Sequence, residues 1–355
     1  MTAHDNADRL LEVHDLKVHF PILRGFLRRR VGSVKAVDGV SFHIRRGETL
    51  GLVGESGCGK TTTGRAIARV YEPTDGRIMF RSSNGRTYDV GTLEKDDLHD
   101  YWKNVQVIFQ DPYASLNPRR TVMQIIEEPL MILGGMGIAE RRERVRELLD
   151  LVGLDARHAE RYPHAFSGGQ RQRIGIARGI ALNPDLLIAD ESVSALDVSV
   201  QGQILNLMID LQRELDLAYL FVSHDLGVVK HVSDRIAVMY VGKIVELAPS
   251  RSLFRRPRHP YTEALLSAVP RPDPTRNLNR MVLEGEIADP ANRPKGCCFH
   301  PRCRYAQDIC RTEEPAFRNV PDQEGNEQYV ACHFAEQLDL AGAKRDDTVK
   351  TPKTP

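Results

Sequence analysis

The sequence predicts an α/β fold with a phosphate-binding core, a small antiparallel β part, a helical part and an irregular cysteine-rich extension at its C-terminal side. Three observations support this prediction. Residues 54–61 read Gly-Glu-Ser-Gly-Cys-Gly-Lys-Thr, between an apolar run and a helical pattern. The apolar runs at 186–190 and 218–222 have the length of strands buried on both faces. Five of the six cysteines lie between residues 297 and 332.

Composition is that of an ordinary soluble protein. The 355 residues predict two or three domains, and 41% of them are hydrophobic and 27% charged. A net charge of +1 gives no bulk attraction to nucleic acid, so we expect no nucleic-acid partner. No apolar run approaches the roughly 18 residues that span a bilayer, and residues 1–9 lack the apolar core of a signal peptide. We expect any membrane role to be exercised through partners.

The segment 54–61 fits the spacing G-x-x-x-x-G-K-[ST] of a P-loop, which predicts the core of a P-loop NTPase. Glycines allow tight turns that present several N–H groups to phosphate oxygens. Lys60 is expected to reach the β- and γ-phosphates, and the Thr61 hydroxyl is expected to hold Mg²⁺. The helix predicted after the loop directs its N-terminus at the anion. The predicted nucleotide-binding residues here are Gly54, Glu55, Ser56, Gly57, Cys58, Gly59, Lys60, Thr61 and Thr62.

The rest of the chain divides by its sequence pattern. Strands are expected at 10–20, 37–44 and 78–80 in the antiparallel part, where apolar residues alternate. Prolines from Pro249 to Pro274 mark the start of an irregular region. The expected divisions are an ATP-binding domain at 1–250, with a helical part at about 111–185, an extension at 251–340 and a disordered tail at 341–355.

Five further motifs follow the P-loop in order. They are Gln110 at the end of an apolar strand pattern, Phe-Ser-Gly-Gly-Gln-Arg-Gln-Arg at 166–173, Leu-Leu-Ile-Ala-Asp-Glu at 186–191, Ser-Ala-Leu-Asp at 194–197 and Ser-His-Asp at 223–225. With the P-loop, this set resembles the nucleotide-binding subunit of ABC transporters over about residues 10–250. The stretches 111–119 and 259–262 are similar to the oligopeptide/dipeptide importer subfamily, which carries a C-terminal extension.

The resemblance implies an ATPase that uses ATP and Mg²⁺. Hydrolysis of ATP needs a held phosphate chain, a metal, an oriented water and charge stabilisation. Thr61, Asp190 and Gln110 are expected to hold Mg²⁺, directly or through water. The expected catalytic residues are Glu191, which orients the attacking water, His224, which contacts the γ-phosphate, and Gln110, which links the site to the helical part. Phe20 lies where the family stacks an aromatic ring on adenine, although a core position is a serious alternative.

The signature Ser167-Gly168-Gly169-Gln170 implies a second chain. In the resembled family it caps the γ-phosphate bound by the opposing subunit, because its small residues let helix N–H groups approach phosphate. The expected partners are a second, homologous ATP-binding subunit, two permease subunits and an extracellular solute-binding protein. The expected location is the cytoplasmic face of the cell membrane. Import of nickel or glutathione, or a soluble ABC ATPase without a transport role, are the alternatives to peptide import.

The cysteine cluster has the spacing Cys297-x5-Cys303-x6-Cys310-x21-Cys332, with Cys298 as a spare. In a chain expected to be cytosolic, such a cluster favours metal over disulfides. Four thiolates suit Zn²⁺ or an iron–sulfur cluster. These gaps are wider than in zinc ribbons, and some members of the resembled subfamily carry a [4Fe–4S] cluster here. A [4Fe–4S] cluster, Zn²⁺ and free thiols all remain open.

Overall fold

The computed structural model of the protein describes residues 8–26, 29–109, 111, 113–194, 196–268, 283, 285–322 and 324–342. Gln110 lies outside these residues, as does the expected disordered tail from residue 343 onwards. The strands are β1 (Arg9–Arg24), β2 (Arg29–Arg45), β3 (Thr49–Val53), β4 (Asp75–Arg81), β5 (Thr87–Asp89), β6 (Val105–Ile108), β7 (Leu186–Asp190), β8 (Ala218–Ser223), β9 (Arg235–Tyr240), β10 (Lys243–Pro249), β11 (Arg318–Asn319) and β12 (Tyr329–Val330).

Helices cover the larger sheet and form a separate helical part. The α-helices are α1 (Lys60–Ile67), α2 (Lys95–Asn104), α3 (Val122–Pro129), α4 (Ile138–Leu151), α5 (Gly168–Gly179), α6 (Val198–Leu215), α7 (Leu226–Val232), α8 (Ser250–Arg255), α9 (Pro260–Ser267) and α10 (Asp308–Thr312). A π-helical turn, Leu130–Gly134, continues α3. Short 3₁₀ turns lie at Val90–Thr92, Ala156–His158, Pro163–Ala165 and His300–Arg302. No helix in the described part of the chain is long and apolar enough to cross a membrane.

A parallel sheet forms the centre of the molecule. The larger sheet has the strand order β11-β12-β10-β9-β3-β8-β7-β6, and the strands from β9 to β6 run parallel. Every residue of β3, β7 and β8 is buried, as the apolar runs predict. Val53 pairs with Ser223, and Asp190 pairs with Val222. The carboxyl ends of β3, β8 and β7 therefore lie side by side.

The antiparallel sheet has the order β2-β1-β4-β5 and packs its apolar face against α1 and the main sheet. The predicted strands fall within β1, β2 and β4, but β1 and β2 are longer than predicted and reach Arg24 and Arg29. In the helical part, Thr121 and Gln124 form a capping box at the start of α3. Apolar residues such as Ile126, Leu149 and Ile174 are buried where α3, α4 and α5 pack together.

The C-terminal extension packs directly on the α/β part of the chain. Residues of β12 pair antiparallel with β10, so the extension adds strands to the edge of the main sheet. Three buried rings join the two parts: Tyr240 of β9, Tyr261 of α9 and Phe299 lie with centroids 4.7 to 5.3 Å apart. Aromatic pairs in this range stabilise beyond their buried area.

A buried carboxylate also connects these elements. Glu246 of β10 is fully buried, and its oxygens accept hydrogen bonds from the backbone N–H groups of Arg258 (2.7 Å) and His259 (3.1 Å). A third donor is Nε2 of Gln328, at 2.7 Å. Burial raises the pKa of Glu246, and these hydrogen bonds oppose the rise. The carboxylate thereby connects β10 to the start of α9 and to the segment before β12.

The buried His259 predicts a loss of stability in acid. Its Nδ1 accepts the Tyr261 N–H at 3.1 Å and caps α9, and burial lowers its pKa from 6.5 to about 3. Below about pH 6.5 the unfolded chain binds a proton that the folded chain does not, so stability falls by about 1.4 kcal/mol per pH unit until the pH nears the folded pKa. His259→Asn keeps a capping acceptor and should show a shallower fall in thermal midpoint as the pH is lowered.

The exposed His14 provides the matched control, since His14→Asn makes the same substitution away from the buried cap of α9. Equal slopes for His259→Asn and the unaltered chain would contradict a neutral, buried His259.

Candidate nucleotide-binding site

The P-loop lies between the end of β3 and the start of α1, as predicted. Gly54 and Gly59 have φ of 154° and 111°. A Cβ on Gly54 would overlap the carbonyl oxygen of Met239, and a Cβ on Gly59 would overlap that of Ala36. Both positions therefore require glycine, for conformation and for space.

Lys60 is the first residue of α1, and its side chain reaches back into the loop. Its side chain is buried, and Nζ donates hydrogen bonds to the carbonyl oxygens of Gly54 (2.8 Å) and Glu55 (3.1 Å). A cleft of about 230 Å³ opens beside it. The cleft is lined by Ala36, Ser56, Gly57, Gly59, Lys60, Thr61, Thr62 and Glu191. Loop N–H groups, an ammonium and the N-terminus of α1 together favour an anion of several charges.

A hydroxyl and a buried carboxylate meet at one side of this cleft. Thr61 donates from Oγ1 to Oδ1 of Asp190 at 2.9 Å. Burial raises the pKa of Asp190, and the Thr61 hydrogen bond opposes the rise. Such a carboxylate gains from a nearby cation. Mg²⁺ takes few protein oxygens and completes its shell with phosphate and water, so Thr61 and Asp190 suit it. Gln110, the third predicted ligand, lies outside the described residues.

Glu191 has a strained backbone. Its φ is 47°, in the left-handed region, which costs a non-glycine residue roughly 1 kcal/mol or more. Its N–H donates to the Val222 carbonyl at 2.9 Å, and its own carbonyl accepts from Ser194 N–H (3.1 Å) and Oγ (2.9 Å). Oε1 lies 3.3 Å from Nδ1 of His224. The carboxylate thus lines the cleft with an imidazole beside it.

The signature residues do not line this cleft. Ser167 is the N-cap of α5 and forms a capping box with Gln170, and it is exposed. A Cβ on Gly169 would overlap Val200 of α6, so glycine allows α5 and α6 to pack closely. The N-terminus of α5 therefore presents its N–H groups at a surface apart from the P-loop of the same chain.

Two predicted contact residues have contrasting positions. Phe20 is not in the core: it is 37% exposed and packs edge-on against Tyr71, with centroids 5.4 Å apart. The core alternative for Phe20 is therefore wrong. Cys58 points into the core beneath the loop, and burial raises the pKa of its thiol. Only its backbone is available to a ligand.

None of the five cysteines of the extension, all of which the structure describes, forms a disulfide. Cys297, Cys303, Cys310 and Cys332 line one small cavity, and Cys298 is not among its lining residues. Within the described ranges, no three His, Cys, Asp or Glu side chains are arranged to hold a metal ion. The predicted four residues are therefore neighbours, but their thiols do not converge on a single point.

Sequence reasoning missed the contacts that the extension makes with the P-loop. Arg302 forms a two-pronged ion pair with Glu55, and the Tyr261 hydroxyl accepts the Glu55 N–H. The motif at 259–262 is the one sequence signal for this contact, since it marks Tyr261. Nothing in the sequence separates Arg302 from neighbouring arginines.

Such a site on such a fold is that of an ATP-hydrolysing protein of the ABC transporter class. A profile of the ABC transporter family matches residues 37–194, and a profile described as oligopeptide/dipeptide transporter, C-terminal region, matches residues 245–310. The chain belongs to the ATP-binding proteins of the oligopeptide/dipeptide ABC transporter family.

Curated relatives share this chain over most of their length. It is 53% identical over 332 residues to the oligopeptide transport ATP-binding protein AppF of Bacillus subtilis (strain 168), covering 93% of this chain and 98% of that protein. It is 48% identical over 329 residues to the dipeptide transport ATP-binding protein DppF of Escherichia coli (strain K12), covering 92% and 95%.

Solved structures share the fold of the ATP-binding part. The ATP-binding cassette MJ0796, in a dimeric post-hydrolysis state bound to ADP and Pi, matches with a TM-score of 0.58 and 27% identity over 68% of this chain and 99% of that chain. CbiO1 from Clostridium perfringens, part of the ABC transporter complex cbiONQ, has the same TM-score at 24% identity, over 70% and 91%. The latter shows the fold alone.

The glycines of the loop predict a graded loss of nucleotide binding. Gly59→Ala should abolish it, because the new Cβ overlaps the Ala36 carbonyl and displaces the start of α1. Gly57→Ala is the control, since its Cβ meets no atom within 4 Å and bears only the strain of a φ of 78°. Titration with a fluorescent ATP analogue measures both variants. Equal losses would contradict the close approach at Gly59.

Proposed function

We propose that this chain is the ATP-hydrolysing subunit that energises import of oligopeptides or dipeptides across the cytoplasmic membrane, acting at its cytoplasmic face. The observation that carries the chemistry is Glu191, which lines the P-loop cleft with His224 beside it. Support for the cargo comes from relatives such as AppF and DppF, named for peptide transport, and from the match of the C-terminal region. The alternative is import of nickel or glutathione by the same type of subunit. Uptake assays with peptides, nickel and glutathione would distinguish these cargoes.

Phosphate binding would be shared between the loop and one lysine. Lys60 needs only to exchange its bonds to the Gly54 and Glu55 carbonyls for phosphate oxygens, since its ammonium already lies in the loop. Thr61 and Asp190, with Gln110, would hold Mg²⁺, which neutralises charge on the β- and γ-phosphates. Phe20 is exposed enough to stack on the adenine ring.

Glu191 would orient and polarise the water that attacks the γ-phosphorus. Its backbone is held by Val222 and Ser194, which fixes the point from which the side chain enters the cleft. His224 lies within contact of this carboxylate and is itself more exposed, at 55% against 16% for Glu191. It can therefore reach a γ-phosphate while Glu191 accepts a proton from water.

A Glu191→Gln substitution tests this assignment. The amide keeps the size of the side chain but cannot accept the water proton, so ATP binding should persist, turnover should fall by at least about 100-fold, and a closed dimer with trapped ATP should accumulate. ATPase assays and size-exclusion chromatography measure these effects. Glu72→Gln, at an exposed site outside the cleft, is the control. Near-normal hydrolysis would refute the role of Glu191.

The working unit would contain two ATP-binding subunits. The support is the signature at Ser167, Gly168 and Gly169, which is presented at a surface apart from its own P-loop. Opposed to a second subunit, these N–H groups reach the γ-phosphate bound there. The related cassette MJ0796 is described as dimeric. The proposed second subunit is a homologous chain, which would give a heterodimer, and a homodimer of this chain is the alternative.

Exposed apolar residues support docking to two permease subunits. Phe109 and Tyr113 flank Gln110 in sequence and are exposed, as are Met131 and Ile132 in the helical part. Apolar side chains at such positions favour a protein partner over water. By its motif, Gln110 would link the Mg²⁺ site to this region and would relay closure of the dimer to the permeases. An extracellular solute-binding protein would deliver the cargo to them.

We also propose that the cysteine cluster holds a [4Fe–4S] cluster. Four thiolates suit such a cluster or a single Zn²⁺, and Zn²⁺ is the alternative. A cluster of several irons and sulfides is larger, so its ligands surround it at greater separation. Cys297, Cys303, Cys310 and Cys332 line one cavity and would be the four ligands of the cluster, which would cross-link the extension.

Iron analysis tests the cluster. Protein purified without oxygen should be brown and contain about four irons per chain. Cys332→Ala should lose the colour and iron, whereas Cys298→Ala should keep both, because Cys298 does not line the cavity. Colourless, iron-free protein would contradict the proposal, and zinc in its place would support a single-ion site.

A further inference from the structure

We infer that Arg302 and Tyr261 of the C-terminal extension are positioning residues for the P-loop, so the extension sets the affinity for nucleotide. The inference deepens the proposed function, since it names what regulates the same ATP site. Three observations carry it: an ion pair to the loop, a hydrogen bond to the same loop residue, and a contact with the segment that contains Ala36, another residue that lines the cleft.

The ion pair joins residues far apart in sequence. Nη1 of Arg302 donates to Oε2 of Glu55 at 2.6 Å, and Nη2 donates to Oε1 at 3.0 Å. The Arg302 side chain is only 6% exposed and that of Glu55 is 25% exposed. Glu55 also stabilises the charge of Arg302, whose pKa is raised chiefly by this hydrogen bond. Two parallel charge-assisted bonds fix both position and orientation, and partial burial shields them from salt.

The hydrogen bond fixes the backbone of the same residue. The Tyr261 hydroxyl accepts the Glu55 N–H at 2.9 Å. Tyr261 is fully buried, and its ring packs against Tyr240 and Phe299. The phenol oxygen therefore has a fixed place relative to β9, next to the strand that precedes the loop. A mobile side chain would not give this restraint.

Glu55 transmits the restraint to the phosphate-binding lysine. Its carboxylate, its N–H and its carbonyl oxygen contact Arg302, Tyr261 and Lys60 respectively. Movement of Glu55 would shift an anchor of the Lys60 ammonium and the turn that presents the loop N–H groups. Arg302 also neutralises an acidic side chain that would otherwise repel a triphosphate.

A second arginine of the extension contacts a segment next to the P-loop. Arg293 donates from Nη1 to Oδ2 of Asp38 at 2.7 Å and from Nη2 to the carbonyl of Lys35 at 2.6 Å. These residues flank Ala36, which lines the cleft and whose carbonyl lies against Gly59. The extension thus contacts both the P-loop and the segment around Ala36 that packs against it.

The extension contacts the phosphate-binding side and leaves the hydrolytic carboxylate to other elements. Glu191 and His224 follow β7 and β8, and the backbone of Glu191 is held by Val222 and Ser194. Loss of Arg302 should therefore weaken nucleotide binding while the chemical step at saturating ATP is retained. A merely structural role would lower the active fraction and leave the KM for ATP unchanged.

The experiment compares Arg302→Ala, Arg302→Lys and Tyr261→Phe in the full chain. Kd for Mg-ATP is measured on the purified chain, and KM and kcat are measured on the transporter assembled with its permeases. Arg302→Ala should raise Kd and KM about tenfold, the scale of lost charge-assisted hydrogen bonds, with kcat within about twofold. Arg302→Lys, which keeps the charge but not the fork, should be intermediate. Tyr261→Phe keeps the buried ring and removes only the hydroxyl, so it remains informative if Arg302→Ala fails to fold.

Two further variants sharpen the result. Adding Glu55→Gln to Arg302→Ala should restore part of the affinity, because the uncompensated carboxylate is removed. Arg255→Ala breaks a surface pair with Glu324 in the same extension and should leave Kd unchanged. Unchanged Kd and KM in both Arg302→Ala and Tyr261→Phe, or a fall in kcat alone, would overturn the inference. Failure of the proposed function would instead show as no ATP binding by the unaltered chain, or as binding indifferent to Lys60→Ala.

Discussion

The adjacent ends of three parallel strands are the constraint on which the site depends. β3, β8 and β7 are hydrogen-bonded neighbours whose carboxyl ends stop at the same level. The P-loop follows β3, and His224 follows β8. Asp190 is the last residue of β7, and Glu191 comes directly after it. Ligand sites in parallel α/β sheets form where such ends meet. Complete burial of the strands fixes their register, so groups far apart in sequence meet without any local adjustment.

Much of this arrangement could be predicted because its signals are local. The loop at 54–61 and the apolar strands before and after it are short patterns with a direct physical meaning, and the ordered motifs identify the residues at strand ends. The sequence pattern predicts a shorter antiparallel hairpin than the structure has. Its outer part is basic and lacks clear alternation, yet pairing between β1 and β2 extends it to Arg24 and Arg29.

The remainder depends on tertiary contacts that leave no local pattern. The left-handed backbone of Glu191 is imposed by Val222 and Ser194, and no propensity signals it. The bond between Arg302 and Glu55 joins positions 247 residues apart, and many arginines compete for the role in sequence. The cysteine spacing was compatible with several ligands, and only the fold places four of the five thiols around one cavity.

The pairing of β12 with β10 affects how readily the chain associates with other chains and where it can be truncated. Without residues 318–330, β10 would end the sheet with a row of unpaired backbone N–H and C=O groups, which is a template for association with other chains. The Ala331 N–H of the extension also donates to the Val245 carbonyl along this edge. The extension therefore also protects a sheet edge. A fragment that ends near residue 250 would expose β10 as an edge strand and would be prone to aggregate.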